Sequence, residues 1–317
     1  VTTLPWGRKD SRPANGRRRG DKKPGGVRDV LAEATSSSSM SEREVVVSSG
    51  LVVLSVIMLW LVVQMLVLGG LEFSRGQDRL YGQLRAELAT GEAPTGGVIA
   101  PGDPVALLKL PSLGVDQVVV EGTSAGHMLT APGHRRDTVL PGQAGVSVLY
   151  GRSQTFGKPF QVMLQDALGK DMNVVTGQGT STYRIEQVRR PGDPVPAPPA
   201  AGQGRLTLVT SQGSGFLSAL RPGEVVYVDA SLRTKSFAGG AARVNTIAKS
   251  ERPMAGDHSV LPMLALTLGG LLAAVVATPF ARRRFGSVLT WMIAAPVVLA
   301  LAWFAADLTV YLLPNLL

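Results

Sequence analysis

Three long apolar blocks limit how this chain can fold. Val45 to Leu71 carries no charge, and further blocks run from Ser259 to Phe280 and from Val288 to Leu313. A membrane-crossing helix needs about 20 consecutive apolar residues, so each block is predicted to be a transmembrane helix. The first is not a simple signal peptide: its apolar run is too long, and a long polar segment precedes it. The composition is 45% hydrophobic and 17% charged, with the apolar residues gathered in these blocks. What remains suffices for one globular domain of ordinary size. There are 0 cysteines, which excludes disulfides, thiolate metal sites and thiol nucleophiles.

Basic residues orient the spans. Positions 1 to 43 hold ten Lys or Arg, among them Arg17, Arg18, Arg19, Lys22 and Lys23, against five acids. Arg282, Arg283 and Arg284 sit in the basic connection 281–287 between the second and third blocks. The positive-inside rule places both segments in the cytoplasm, so residues 72–257 and the C-terminus are expected outside. The tail 1–43 is rich in Gly, Pro, Ser and Arg and is read as disordered. Its charge serves as a topology signal or touches anionic lipid heads. No folded module or aromatic interleaving accompanies that charge, so nucleic acid is not an expected partner.

Outside the membrane the pattern changes from helix to strand. Residues 72–97 read as a helical stalk, Glu72 to Thr90, followed by a Gly- and Pro-containing linker. Seven short β-rich runs follow: Val105–Leu110, Val115–Val120, Val146–Tyr150, Met172–Thr176, Thr182–Val188, Arg205–Thr210 and Val225–Asp229. Turn residues separate them, which predicts a closed barrel or sandwich over residues 98–233. The Pro-rich stretch Arg190 to Gly204 is a loop. Residues 234–258 read as an irregular linker back to the membrane.

Within this region Pro132-Gly133-His134, Leu140-Pro141-Gly142-Gln143, a G-x-S-x-x-x-G-R run from Gly145 to Arg152, and Phe156-Gly157-Lys158-Pro159-Phe160 follow one another. With Arg205 to Ser211 (RLTLVTS) and Val225 to Leu232 (VVYVDASL), this stretch resembles a sortase domain, most like those of actinobacteria. The resemblance covers about Val98 to Arg233. It implies a mainly β fold, a sortase-like β-barrel outer domain beside three transmembrane α-helices, on a bacterial cell surface. Sortases are cysteine transpeptidases that cut a sorting signal and attach proteins to cell-wall peptide or pilus subunits. Neither a cofactor nor a metal is expected.

The resemblance also shows where the chemistry departs. The family nucleophile is a cysteine closing a T-L-x-T-C motif; here Thr207-Leu208-Val209-Thr210 leads to Ser211. The family histidine follows a glycine; here the pair is Gly151-Arg152. The family arginine, which stabilises the developing oxyanion, has Arg221 as its candidate. A serine needs a neighbouring base, and an arginine cannot be one because its pKa exceeds about 12. Of the three histidines, His134 matches the PGH histidine, His127 lies on an apolar run, and His258 borders the second span. No intact catalytic set is therefore expected. Arg152, Ser211 and Arg221 are expected instead as ligand-binding residues, for a carboxylate or phosphate or within a peptide groove. Asp307, inside the third span, faces a partner or reaches the outer interface, and Gly269 and Gly270 offer a small-residue contact surface. The leading expectation is a non-catalytic surface protein that binds a peptide, a cell-wall component or a membrane partner. The alternatives are a transpeptidase or hydrolase variant using Ser211, and a structural membrane subunit with the barrel as spacer.

Overall fold

The computed structural model describes residues 51, 55–56, 58–60, 62–63, 68–213, 223–240 and 243–317, with the backbone alone at 165 and 166. The tail 1–43, much of the first apolar block, and Arg221 lie outside the described residues. Nearly all the described chain belongs to one compact unit, Leu54–Leu317.

Eight strands close into a barrel: β1 (Pro104–Leu110), β2 (Val115–Glu121), β3 (Gly133–His134), β4 (Gly145–Tyr150), β5 (Asp171–Thr176), β6 (Gly179–Arg189), β7 (Gly204–Gln212) and β8 (Glu224–Leu232). The order around the barrel is β1-β2-β3-β4-β7-β8-β6-β5. Neighbours are antiparallel except β2 with β3 and β4 with β7. The expected strands all appear. β3, only two residues long, has no periodicity to betray it. Alternation directs Leu149, Leu206 and Leu208 into the barrel core with Phe160, Tyr183 and Ile185. Tyr150 and Val209 face outward from the same strands.

Helix α1 (Gly69–Thr90) is the expected stalk, ended by Gly91 in the left-handed region at φ 75°. It lies against β1 and β2, where Leu84 packs on Leu107 and Val118. Its Gln77 amide imitates a strand residue. Gln77 Oε1 accepts from Val118 N–H at 2.7 Å, while Nε2 donates to the carbonyls of Val118 and Thr130. A short helix, α2 (Met163–Asp166), follows β4.

The linker 234–258 is irregular, as expected, but it is fastened down. Phe237 N–H donates to Gly142 O at 2.8 Å. The Arg243 guanidinium donates to Gly97 O and Thr138 O at 3.0 and 3.1 Å and pairs with the buried Glu121. Glu121 in turn meets His134 Nδ1 at 2.8 Å. Thr123 Oγ1 donates to Glu251 O at 2.7 Å.

Helices α3 (Leu261–Phe285) and α4 (Ser287–Tyr311) form a hairpin. Among the described residues these two, rather than three, are long and apolar enough to cross a membrane. Their apolar side chains are bare: Leu266, Val288 and Met292 are 71%, 77% and 70% exposed, unlike those of a soluble core helix. Thr267, Thr278, Thr290 and Thr309 each donate to the carbonyl four residues back, which suits apolar surroundings. The basic connection 281–287 is not a loop. α3 continues through Arg282, Arg283 and Arg284, and Gly286 alone makes the turn at φ 84°. Gly270 faces Leu301 of α4, whereas Gly269 faces open space.

Burial predicts the energetic weight of the stalk contact. Leu84→Ala should cost about 2–4 kcal/mol, and Gln77→Ala about 1–3 kcal/mol by stranding Val118 N–H. Leu266→Ala should cost almost nothing in detergent. Urea unfolding of the detergent-solubilised protein, followed by circular dichroism, checks all three.

Candidate functional site

The parallel pairing of β4 with β7 sets Tyr150 opposite Val209. The chain leaving β4 therefore runs beside the end of β7. Gly151 N–H donates to Val209 O at 3.0 Å, and Thr210 Oγ1 donates to Gly151 O at 2.7 Å. Ser153 Oγ donates to Ser211 O. Arg152 and Ser211 are thus held at neighbouring strand ends, on a groove floored by the outer faces of β4, β7 and β8. Gly151 is tightly enclosed: a Cβ there would lie 2.4 Å from the Phe160 ring.

Arg152 is fully buried, at 0% exposure. Its guanidinium donates from Nε to Met128 O, from Nη2 to Ala125 O and from Nη1 to Thr155 Oγ1, each at 3.2 Å. The Phe156 ring lies 5.0 Å from Cζ, a cation–π distance. Burial pulls the Arg152 pKa down to about 10, while the Glu72 charge acts in the other direction. The group remains a cation at neutral pH, with each of its three nitrogens donating to one of the chain's own oxygens. Arg152 is not presented to the groove as an anion grip.

Ser211 is equally buried, and its hydroxyl donates to the Leu316 carbonyl at 2.6 Å. That carbonyl belongs to a segment whose structure the sequence analysis left unread. After α4 ends at Tyr311, the chain turns back and enters the groove. Asn315, Leu316 and Leu317 are 0%, 0% and 1% exposed. Leu316 packs among Met128, Tyr150 and Val209, with Met254 and Tyr227 alongside. Burying such a side chain is worth about 1.5–3 kcal/mol. Thr155 Oγ1 donates to Leu317 O at 2.6 Å. Asn315 Nδ2 donates to Thr123 O and Arg252 O at 2.7 and 2.9 Å. Tyr150, on the groove floor, has its phenol pushed up to about 12 by burial, with Arg135 opposing.

The other expected residues lie elsewhere. His134 is buried in β3, with Nδ1 on Glu121 and Nε2 2.9 Å from Val139 O. His127 is half-buried, with Nδ1 2.8 Å from Ser124 Oγ, and burial lowers its pKa with help from Arg136. His258 is exposed at the start of the α3 hairpin. Asp307 is an exposed residue one turn before the end of α4. It is close enough to Glu72 to raise that carboxyl's pKa; burial is the larger cause, and the Arg152 charge opposes both. Among the described residues no cluster of His, Asp or Glu could hold a metal. Sequence reasoning missed Thr155, and it missed the residues after Tyr311. The one available signal was Pro314, which stops a helix and begins something else.

A family model described as Sortase domain matches residues 108–215. Among solved structures, the chain is similar to a Clostridium perfringens Sortase D5 transpeptidase, at 20% identity and TM-score 0.41, covering 50% of this chain and 99% of that one. It is similar to Sortase E1 from Streptomyces coelicolor, solved with a tripeptide in the active site, at 22% identity and TM-score 0.36, covering 43% and 92%. Sortase A from Corynebacterium diphtheriae, a lid mutant, gives 17% identity and TM-score 0.36, covering 49% and 78%. No curated protein matches the chain. The family model spans the ordered motifs from Leu108 through Ser211, which lie within the closed barrel, so this chain contains a sortase-family domain.

Proposed function

We propose that this protein is a catalytically inactive member of its family, a multi-pass membrane protein of the bacterial cell surface whose groove holds a peptide segment instead of cutting one. The observation that carries this reading is the pair at the groove. Ser211 gives its proton to a peptide carbonyl, which is no base. Arg152 has only donors, and three of them are directed at oxygens of the chain itself. Among the described residues, neither His127 nor His134 has a ring nitrogen on Ser211. Among the described residues, no group bonded to Ser211 can perform general acid catalysis toward a leaving amine.

The membrane arrangement follows from charge and from the hairpin. Arg282–Arg284 lie at the end of α3 remote from the barrel, about 1.5 Å further per residue along the helix. The start of α3 and the end of α4 meet the barrel side, where Asp257 N–H donates to Tyr311 O at 2.8 Å. Trp60, in the first apolar block, has its ring 5.0 Å from that of Trp303 on α4. One observation favours the second reading, in which the barrel is a rigid spacer: the groove is already filled by the chain itself.

Two measurements test these statements. Single cysteines at Val195 and at Arg283 should divide under a membrane-impermeant reagent in intact cells. Val195→Cys, at a position 79% exposed, should label and Arg283→Cys should not; the reverse contradicts the topology. In a peptide-cleavage assay, the wild type, Ser211→Cys and Arg152→His should all stay at background. Arg152→His should also lose about 2–4 kcal/mol of stability, because Met128 O and Ala125 O lose their donors. Cleavage by the wild type that Ser211→Ala abolishes would make Ser211 a working nucleophile.

A further inference from the structure

We infer that the outer face of β4, β7 and β8 is a binding groove for a short Asn-Leu-Leu-type peptide, and that its resident ligand is the chain's own segment 314–317. The inference rests on the proposed non-catalytic use of the groove and names what the groove holds.

Each recognition element is separate. The Leu316 side chain fills a pocket formed by Met128, Tyr150, Val209 and Met254. Asn315 is read by three backbone oxygens: its N–H donates to Ala255 O at 3.0 Å, and its amide donates to Thr123 O and Arg252 O. Leu317 N–H closes back on Pro314 O at 3.2 Å, which fixes the segment as a turn. Its outward carbonyls then meet two hydroxyls, Ser211 on Leu316 O and Thr155 on Leu317 O. Arg152 acts through Thr155. Because Nη1–H occupies a lone pair of Thr155 Oγ1, the hydroxyl proton is directed at Leu317 O. Ser211 is thus a ligand-binding residue and Arg152 a positioning residue. Residues 314–317 take part in no strand pairing, so the segment leaves without breaking the barrel.

The probe is a fluorescent Leu-Pro-Asn-Leu-Leu peptide with an amidated C-terminus, and the readout is anisotropy with the detergent-solubilised full chain. The unaltered chain should bind it poorly, because its own segment competes at high effective concentration. A variant lacking residues 314–317 should bind at least tenfold tighter. In that variant Thr155→Val should weaken binding several-fold, and a peptide with Ala for Asn should bind tenfold less well. Leu316→Asp in the full-length chain should open the groove as deletion does. The inference is overturned by equal binding to the full and shortened chains, by indifference to both Thr155→Val and the Asn change, or by loss of the fold in both the deletion and Leu316→Asp. That last result would make the segment part of the core instead of a ligand. None of these outcomes depends on turnover, so the inactive reading stands or falls by the cleavage assay alone.

Discussion

A guanidinium removed from water is the constraint around which this molecule is organised. Burying a permanent cation is costly unless its donors are satisfied. Arg152 meets that demand by drawing two stretches of chain together. Met128 and Ala125 supply carbonyls from the connection between β2 and β3, Thr155 supplies a hydroxyl from the loop after β4, and Phe156 supplies an aromatic face. Through Thr155 the same network reaches Leu317. A histidine at this position would be smaller, would titrate near neutrality and could not span these oxygens. Arg152 therefore builds one wall of the groove.

The barrel and the helices meet by close approach. A Cβ on Gly157, itself at φ 73°, would lie 2.3 Å from the Phe73 ring of α1, and one on Gly126 would lie 2.6 Å from Tyr311 of α4. Leu129, Phe156 and Val310 fill the space between. The loop 152–157 that carries Arg152 and Thr155 thus also bears on α1 and α4. The groove and the barrel-side helix ends share residues, so a change at one is felt at the other through packed side chains.

The strands were legible because each is a local pattern: an apolar alternation closed by Gly or Pro, as in Val115–Glu121 and Gly204–Gln212. The stalk was legible for the same reason, down to its Gly91 cap. The helical run of α3 through three arginines was not, because charge marks the membrane boundary but does not end a helix. The groove positions Arg152 and Ser211 came from motif order. Their hydrogen bonds did not, because Ala125, Met128, Thr155 and Leu316 are joined to them only by tertiary packing. The third apolar block was read through Leu313, and residues 314–317 after it carry no periodic pattern. Their role depends on a pocket assembled from β4, β7 and distant loops, and no local pattern encodes it.

The central claim is that the chain's own segment covers Ser211. Because the protein has 0 cysteines, Ser211→Cys introduces a single reporter thiol. Its rate of alkylation by a bulky maleimide should be measured in the full-length chain and in one lacking residues 314–317, both in detergent and both folded by circular dichroism. Coverage predicts slow reaction in the full chain and at least a tenfold acceleration on removing the segment. Equal rates in the two proteins would show that nothing shields Ser211 and would contradict the account.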